Sequence, residues 1–193
     1  MKLERDFYTR KNVVLIAKEL LGKVLFSKMN GKVTSGIITE TEAYAGITDR
    51  ASHAYNNRRT PRTEIMYSIG GTAYVYLCYG IHHLFNVVTN EKNIPHAVLI
   101  RAIKPYDGTP EILKRRNRNS VDGKLCNGPG TVSQGLGIKS SHTGENLLGN
   151  KIWIEDKGIK IPKHAIIKSP RIGVDYAGAD ALLPYRFVTA TKL

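Results

Sequence analysis

The sequence predicts a single α+β domain spanning 1–193. Three observations carry this prediction. The length of 193 residues fits one domain, with no repeat, linker or low-complexity stretch to divide it. The dipeptide Asn30-Gly31 stands between two strand-like runs, the strongest short-range signal of a β-hairpin. Three further strand-like segments follow so closely that they read as an antiparallel meander, while helical spacing appears before and after them.

Taken in order, Thr9–Leu21 places apolar residues at 13, 14, 16, 17, 20 and 21, which predicts one amphipathic helix closed by Gly22. Lys23–Met29 and Lys32–Tyr44 are the arms of the Asn30-Gly31 hairpin. Polar residues from Gly46 to Arg62 form a loop, and Thr60-Pro61 supplies a cap and a first-turn proline for a short helix through Tyr67. Thr72–Cys78, His83–Thr89 and Ala97–Ile103 are rich in Tyr, Val, Ile and Phe and form the meander. Glu111–Asn119 reads as a helix end or an exposed basic loop. Asn127-Gly128-Pro129-Gly130 precedes a short helical pattern ending at Ile138, and Lys151–Glu155 and Tyr185–Ala190 are late strands.

The composition narrows function. The chain carries a formal charge of +13, which calls for an anionic partner, nucleic acid before lipid. Ten tyrosines against four Phe and one Trp give flat faces with polar tips, suited to stacking on bases. Cys78 and Cys126 are too few for a disulfide framework, so a reducing cytoplasm is expected. No signal segment and no run of roughly 18 apolar residues is present, so no membrane role is expected.

Within Thr39-Glu40-Thr41-Glu42-Ala43-Tyr44, strand alternation puts Glu40, Glu42 and Tyr44 on one face. Two readings are open for the carboxylates: acid-base chemistry, or a solvated pair on an edge strand. His82 and His83 are adjacent and would point to opposite faces of a strand, so with Cys78 they make no metal site, and no metal or cofactor is expected. Gly70-Gly71 leads into a strand and lacks the Lys-Ser/Thr ending of a phosphate loop; it reads as a turn. Tyr79, at the tip of the hairpin around Tyr79-Gly80, is either an intercalating wedge or an ordinary exposed turn residue.

Glu40-Thr41-Glu42-Ala43-Tyr44, His53, Asn57-Arg58-Arg59-Thr60-Pro61-Arg62, Tyr74-Val75-Tyr76, Tyr79-Gly80, Asn86 and Val98-Leu99-Ile100-Arg101-Ala102 stand in one order. Leu125-Cys126-Asn127-Gly128-Pro129 and Arg171-Ile172-Gly173-Val174-Asp175 follow. Together they resemble the alkyladenine (3-methyladenine) DNA glycosylase family, the type unrelated to helix-hairpin-helix glycosylases. The resemblance implies a curved, mostly antiparallel sheet with flanking helices. It also implies a monofunctional, monomeric enzyme of base-excision repair that flips alkylated, and by extension deaminated, purines out of duplex DNA and hydrolyses them off. By that resemblance Glu42 is the general base, Arg101 and the backbone at Val174 hold the attacking water, and Tyr44, His53 and Tyr76 wall the base pocket. Asn86 restricts which purines enter, and Tyr79 fills the gap left in the duplex. Arg58, Arg59 and Arg62 are the candidate contacts to DNA phosphates. Two rivals remain: a noncatalytic nucleic-acid-binding protein, which +13 also suits, and a small-molecule glycoside hydrolase using Glu40 and Glu42 as a pair.

Overall fold

Asn30 and Gly31 both adopt left-handed backbone angles, with φ of 52° and 77°, as a tight hairpin turn requires. They join β1 (Val24–Met29) to β2 (Lys32–Tyr44), and β2 organises the rest of the chain. The computed structural model describes residues 1–190. Along its first half β2 pairs with β1, from Met29↔Lys32 to Val24↔Ile37. Along its second half that side of β2 is taken by β8 (Arg186–Thr189), from Glu40↔Val188 to Glu42↔Arg186. β5 (His96–Asp107) runs along the other side, from Ser35↔Asp107 to Tyr44↔Ala97.

The meander of β3 (Thr72–Cys78), β4 (His82–Thr89) and β5 forms as predicted, with β5 longer at both ends. The strand order is β3-β4-β5-β2-β1-β6, where β6 is Ile152–Glu155, and β7 (Ile166–Ser169) extends the β8 branch. Every pairing is antiparallel, so the sheet is the curved antiparallel one expected.

One face of the sheet packs the main core. Ile38, Ala43, Phe85, Val87, Val98 and Ile100 meet Ile16, Ala17 and Leu20 and, further along, Ile112, Val132 and Leu136. These partners come from α2 (Val13–Glu19), α3 (Thr109–Arg116) and α4 (Pro129–Leu136), while α1 is the single turn Arg5–Tyr8. The helix expected over Thr9–Leu21 forms as the shorter α2, and α1 precedes it outside that span. Asn12 sets the start of α2, because its side chain accepts the Leu15 N–H at 2.9 Å as an N-cap. Of Glu111–Asn119, the part to Arg116 is the end of α3, and the left-handed Asn117 closes the helix and leaves the rest irregular. Thr60 and Thr63 lock a turn through reciprocal bonds, and only Glu64–Tyr67 is helical, as one 3₁₀ turn. β7 is the strand with no sequence prediction.

The other face is covered by two irregular segments. Ala54, Met66 and Tyr67 pack on Tyr74, Val88 and Ala97, and Ala51, Val174 and Ala177 pack beside Tyr44. Between these covers and the sheet a cavity remains. No helix among the described residues is long and apolar enough to cross a membrane.

Candidate active site

Glu42 lies in the stretch of β2 flanked on both sides, opposite Leu99 of β5 and Arg186 of β8. The edge-strand reading is thereby corrected: β2 is interior, and the Glu42 side chain is 0% exposed. A buried carboxylate needs donors, and three supply them. Oε1 accepts the Ile172 N–H at 2.8 Å, and Oε2 accepts the Tyr44 hydroxyl at 2.8 Å and Arg101 Nη1 at 3.4 Å. Burial, and next the Glu42 charge, hold the Tyr44 phenol well above its usual pKa, so it remains a donor.

Two compensating irregularities aim this group. Thr39 is unpaired on β2 between Ile38↔Ile103 and Glu40↔Ala102, and Arg101 is unpaired on β5 between Ala102 and Ile100. An extra residue reverses the alternation beyond it. Ile38 can therefore point into the core while Glu42 and Tyr44, four and six residues on, point to the cavity side. Thr41, between them, donates to the Ala17 carbonyl of α2 at 2.8 Å. Arg101 reaches both carboxylates, and its Nε donates to Glu40 Oε1 at 2.8 Å. Arg186 Nε donates to that same oxygen at 2.6 Å. Glu40 borders a separate cleft of about 350 Å³ with Thr39 and Asn127, not the cavity that Arg101 lines.

The cavity measures about 290 Å³, at the small end for a ligand site. Tyr44, His53, Tyr76, Asn86, Arg101 and Val174 all line it, so the sequence-predicted set is brought together. Glu42 stands one layer behind, covered by Tyr44, Arg101 and Ile172. His53 lies edge-on to Tyr76 at 4.7 Å, with Nδ1 2.8 Å from the Tyr74 hydroxyl and Nε2 2.9 Å from Arg62 Nη2. Because a guanidinium only donates, Nε2 accepts and Nδ1 carries the proton. Burial first, then Arg62 and Arg58, lower the His53 pKa to about 4. Asn86 gives both amide hydrogens to carbonyls, of Tyr74 and Leu84, each at 3.2 Å; this fixes its orientation and leaves its oxygen as a polar end with no donor among the described residues. Val174 contributes a buried side chain, and its carbonyl accepts the Ala177 N–H at 2.9 Å.

The cover over Glu42 is pinned by a pair that sequence reasoning missed. Arg171 Nη1 and Nη2 meet Asp49 Oδ2 and Oδ1 at 2.5 and 2.8 Å, both side chains essentially unexposed. Arg171 also donates to the carbonyls of Ala43 and Asp180 and lies over the Tyr44 ring at 4.8 Å. Asp49 in turn accepts the N–H groups of Ala45 and Ala51. The loop after β7 is thus fastened to the loop after β2, with Ile172 at the height of Glu42. The sequence offers only a lone acid in a polar loop for Asp49, and the motif around Arg171 implies no role for it. Tyr176, at the cavity rim, likewise carries no signal in the sequence.

Tyr79 is 91% exposed at the tip of the β3–β4 hairpin. Seven non-glycine residues among those described have positive φ; six are Asn and the seventh is Tyr79, at 50°. The three arginines part company. Arg58 is exposed with no side-chain partner among the described residues, and Arg59 pairs with Glu64 at 2.6 Å and stacks on Tyr67 at 3.7 Å. Arg62 leans over Tyr76 at 5.3 Å. No group of three metal-ligating side chains occurs among the described residues.

Comparison with known proteins gives one consistent result. A family model described as methylpurine-DNA glycosylase matches residues 6–192. Curated relatives bear the name "Putative 3-methyladenine DNA glycosylase". One from Chlamydia felis is 48% identical over 191 residues, covering 98% of this chain and 97% of the relative. One from Desulfitobacterium hafniense is 41% identical over 194 residues, covering 96% and 94%, and one from Clostridium perfringens strain 13 is 43% identical over 195, covering 97% and 95%.

Proposed function

The chain belongs to the methylpurine-DNA glycosylase family, and from that premise we propose how its residues act. A damaged purine rotates out of duplex DNA into the cavity between Tyr44, His53 and Tyr76, and Tyr79 takes its place in the stack. Extrusion costs a few kcal/mol, least for a damaged base, so flipping itself discriminates. Tyrosine faces attract a cationic ring by roughly 0.5 to 2 kcal/mol when desolvated, which favours 3-methyladenine and 7-methylguanine. Asn86 presents its fixed carbonyl oxygen to the entering base and selects among purines by hydrogen bonding.

Glu42 removes a proton from water as the water's oxygen bonds to the sugar carbon. The bond from that carbon to the base breaks, its electron pair leaves with the base, and a cationic base departs neutral. The Glu42 charge also stabilises the oxocarbenium character of the sugar. Arg101 and the Val174 backbone orient the water, and Arg101, holding Glu42 through the longest of its three contacts, is the one that yields to admit it. The product is an abasic site on an unbroken strand. His53 is neutral at physiological pH, so the pocket offers no imidazolium to protonate a neutral leaving base; deaminated purines are correspondingly slower substrates. Arg62 leaves His53 for a phosphate when the base enters, and Arg58 and Arg59 track the backbone of the same strand. The enzyme works as a monomer.

The observation that carries this reading is the buried Glu42 carboxylate, held by Ile172 N–H, Tyr44 and Arg101 directly behind the cavity. The test is release of free base from methylated duplex DNA by the wild type and by Glu42→Gln. The expected loss is about 10²- to 10⁴-fold, the usual contribution of a general base, with DNA binding retained and strands breaking only after alkali. Release by Glu42→Gln at the wild-type rate would reassign the base. No release by the wild type from methylated or deaminated DNA, with salt-sensitive binding intact, would favour a noncatalytic binding protein.

A further inference from the structure

Glu40 has no place in the mechanism above, yet it is buried and held by two guanidiniums. Its Oε1 receives Arg101 Nε at 2.8 Å and Arg186 Nε at 2.6 Å, while Arg101 Nη1 stays 3.4 Å from Glu42 Oε2. An arginine beside a lone carboxylate frequently closes on it with two short parallel bonds. Arg101 does not close on Glu42, because its Nε is already committed to Glu40 and its backbone is displaced by the β5 irregularity. Glu40 faces a different cleft from the cavity, so it is not placed to touch a base or a sugar.

We propose that Glu40 is the positioning residue of the reaction: by anchoring Arg101 through Nε, with Arg186 as counter-anchor, it keeps the guanidinium turned to the cavity and stops it clamping Glu42. The balance of charge supports this. Two carboxylates share two guanidiniums, and a bidentate Arg101–Glu42 pair would leave Glu40 with Arg186 alone. It would also occupy the carboxylate oxygens that water must reach. The inference rests on Glu42 being the base.

The groups facing Glu42 are Glu40 and Tyr44 from β2, Arg101 from β5, Arg186 from β8, and Arg171 and Tyr176 from the covering loop. Replacing Glu40 with glutamine keeps its volume and removes the charge that competes for Arg101. Single-turnover base release from methylated duplex DNA by Glu40→Gln is expected to fall 10- to 100-fold on the pH plateau. The acidic limb should shift to lower pH, with affinity for the DNA within twofold of wild type. Glu40→Asp should recover part of the rate. Arg186→Gln, which frees Glu40 to hold Arg101 more fully, should move the acidic limb to higher pH.

A plateau rate for Glu40→Gln within twofold of wild type, or a loss confined to thermal stability with Glu40→Asp no better, overturns the proposal. Should Glu40→Gln not fold, an unmoved limb in Arg186→Gln overturns it instead. A wild type that releases no base removes the Glu42 reading itself, whereas an active wild type with an indifferent Glu40 removes only this inference.

Discussion

His53 is half-buried beside two arginines with both ring nitrogens engaged, and at the residue scale this links the cavity to pH. Its folded pKa of about 4 lies below the ordinary 6.5. Between those values the unfolded chain binds the proton and the folded chain does not, so this contribution to stability is full above about pH 6.5 and is lost as pH falls toward 4. Urea titrations at pH 7 and 4.5 should show the wild type losing about 1–3 kcal/mol more than His53→Gln. The Arg171–Asp49 pair makes a second prediction. Asp49→Ala leaves a buried guanidinium without its carboxylate and should lower stability by about 3–5 kcal/mol. It should also cut base release, because Ile172 loses its fixed height over Glu42; thermal melts and single-turnover rates check the two together. The residues around Glu42 were legible because short motifs in order carried them. Asp49 and Arg171 were not, since a pair 122 residues apart has no local pattern.

Elements place these residues by departing from regularity. Strict alternation would put Glu42 on the same side as Ile38, in the core; the unpaired Thr39 prevents it. The sequence predicted β2 to its ends but not its irregularity, because an extra residue shows only against the partner strand. The hairpin tip is the second departure. Asparagine adopts left-handed backbone at less cost than tyrosine, for which the conformation costs roughly 1–2 kcal/mol. Tyr79→Asn should therefore fold as well as wild type or up to about 1 kcal/mol better. It should bind lesion-containing duplex more weakly and release base more slowly. Denaturation beside a binding isotherm measures this exchange of stability for function, and weaker folding with unchanged DNA affinity would show the tip to be an ordinary turn.

Across the whole molecule, charge sets affinity. If about five phosphates are engaged, log affinity should fall against log salt with a slope near −4 to −5. Arg58→Ala should flatten that slope by about one, and Arg59→Ala by less, because Glu64 already neutralises Arg59. Binding isotherms over a range of salt separate the two. The fold class and the meander could be read along the chain, since each strand there pairs with its neighbour in sequence. The exchange of partners along β2, from β1 to β8, could not, because it joins residues nearly 150 apart. That exchange also sets the order in which the enzyme comes into being. Until Arg186–Thr189 emerge from the ribosome and dock, the flank of β2 at Glu40 and Glu42 is an open strand edge, Glu40 lacks Arg186, and the carboxylates stand in water. The nascent chain thus carries Glu42, Tyr44, His53, Tyr76 and Arg101 long before it can release a base, and a chain stopped short of β8 is expected to be inactive in base release and prone to aggregate.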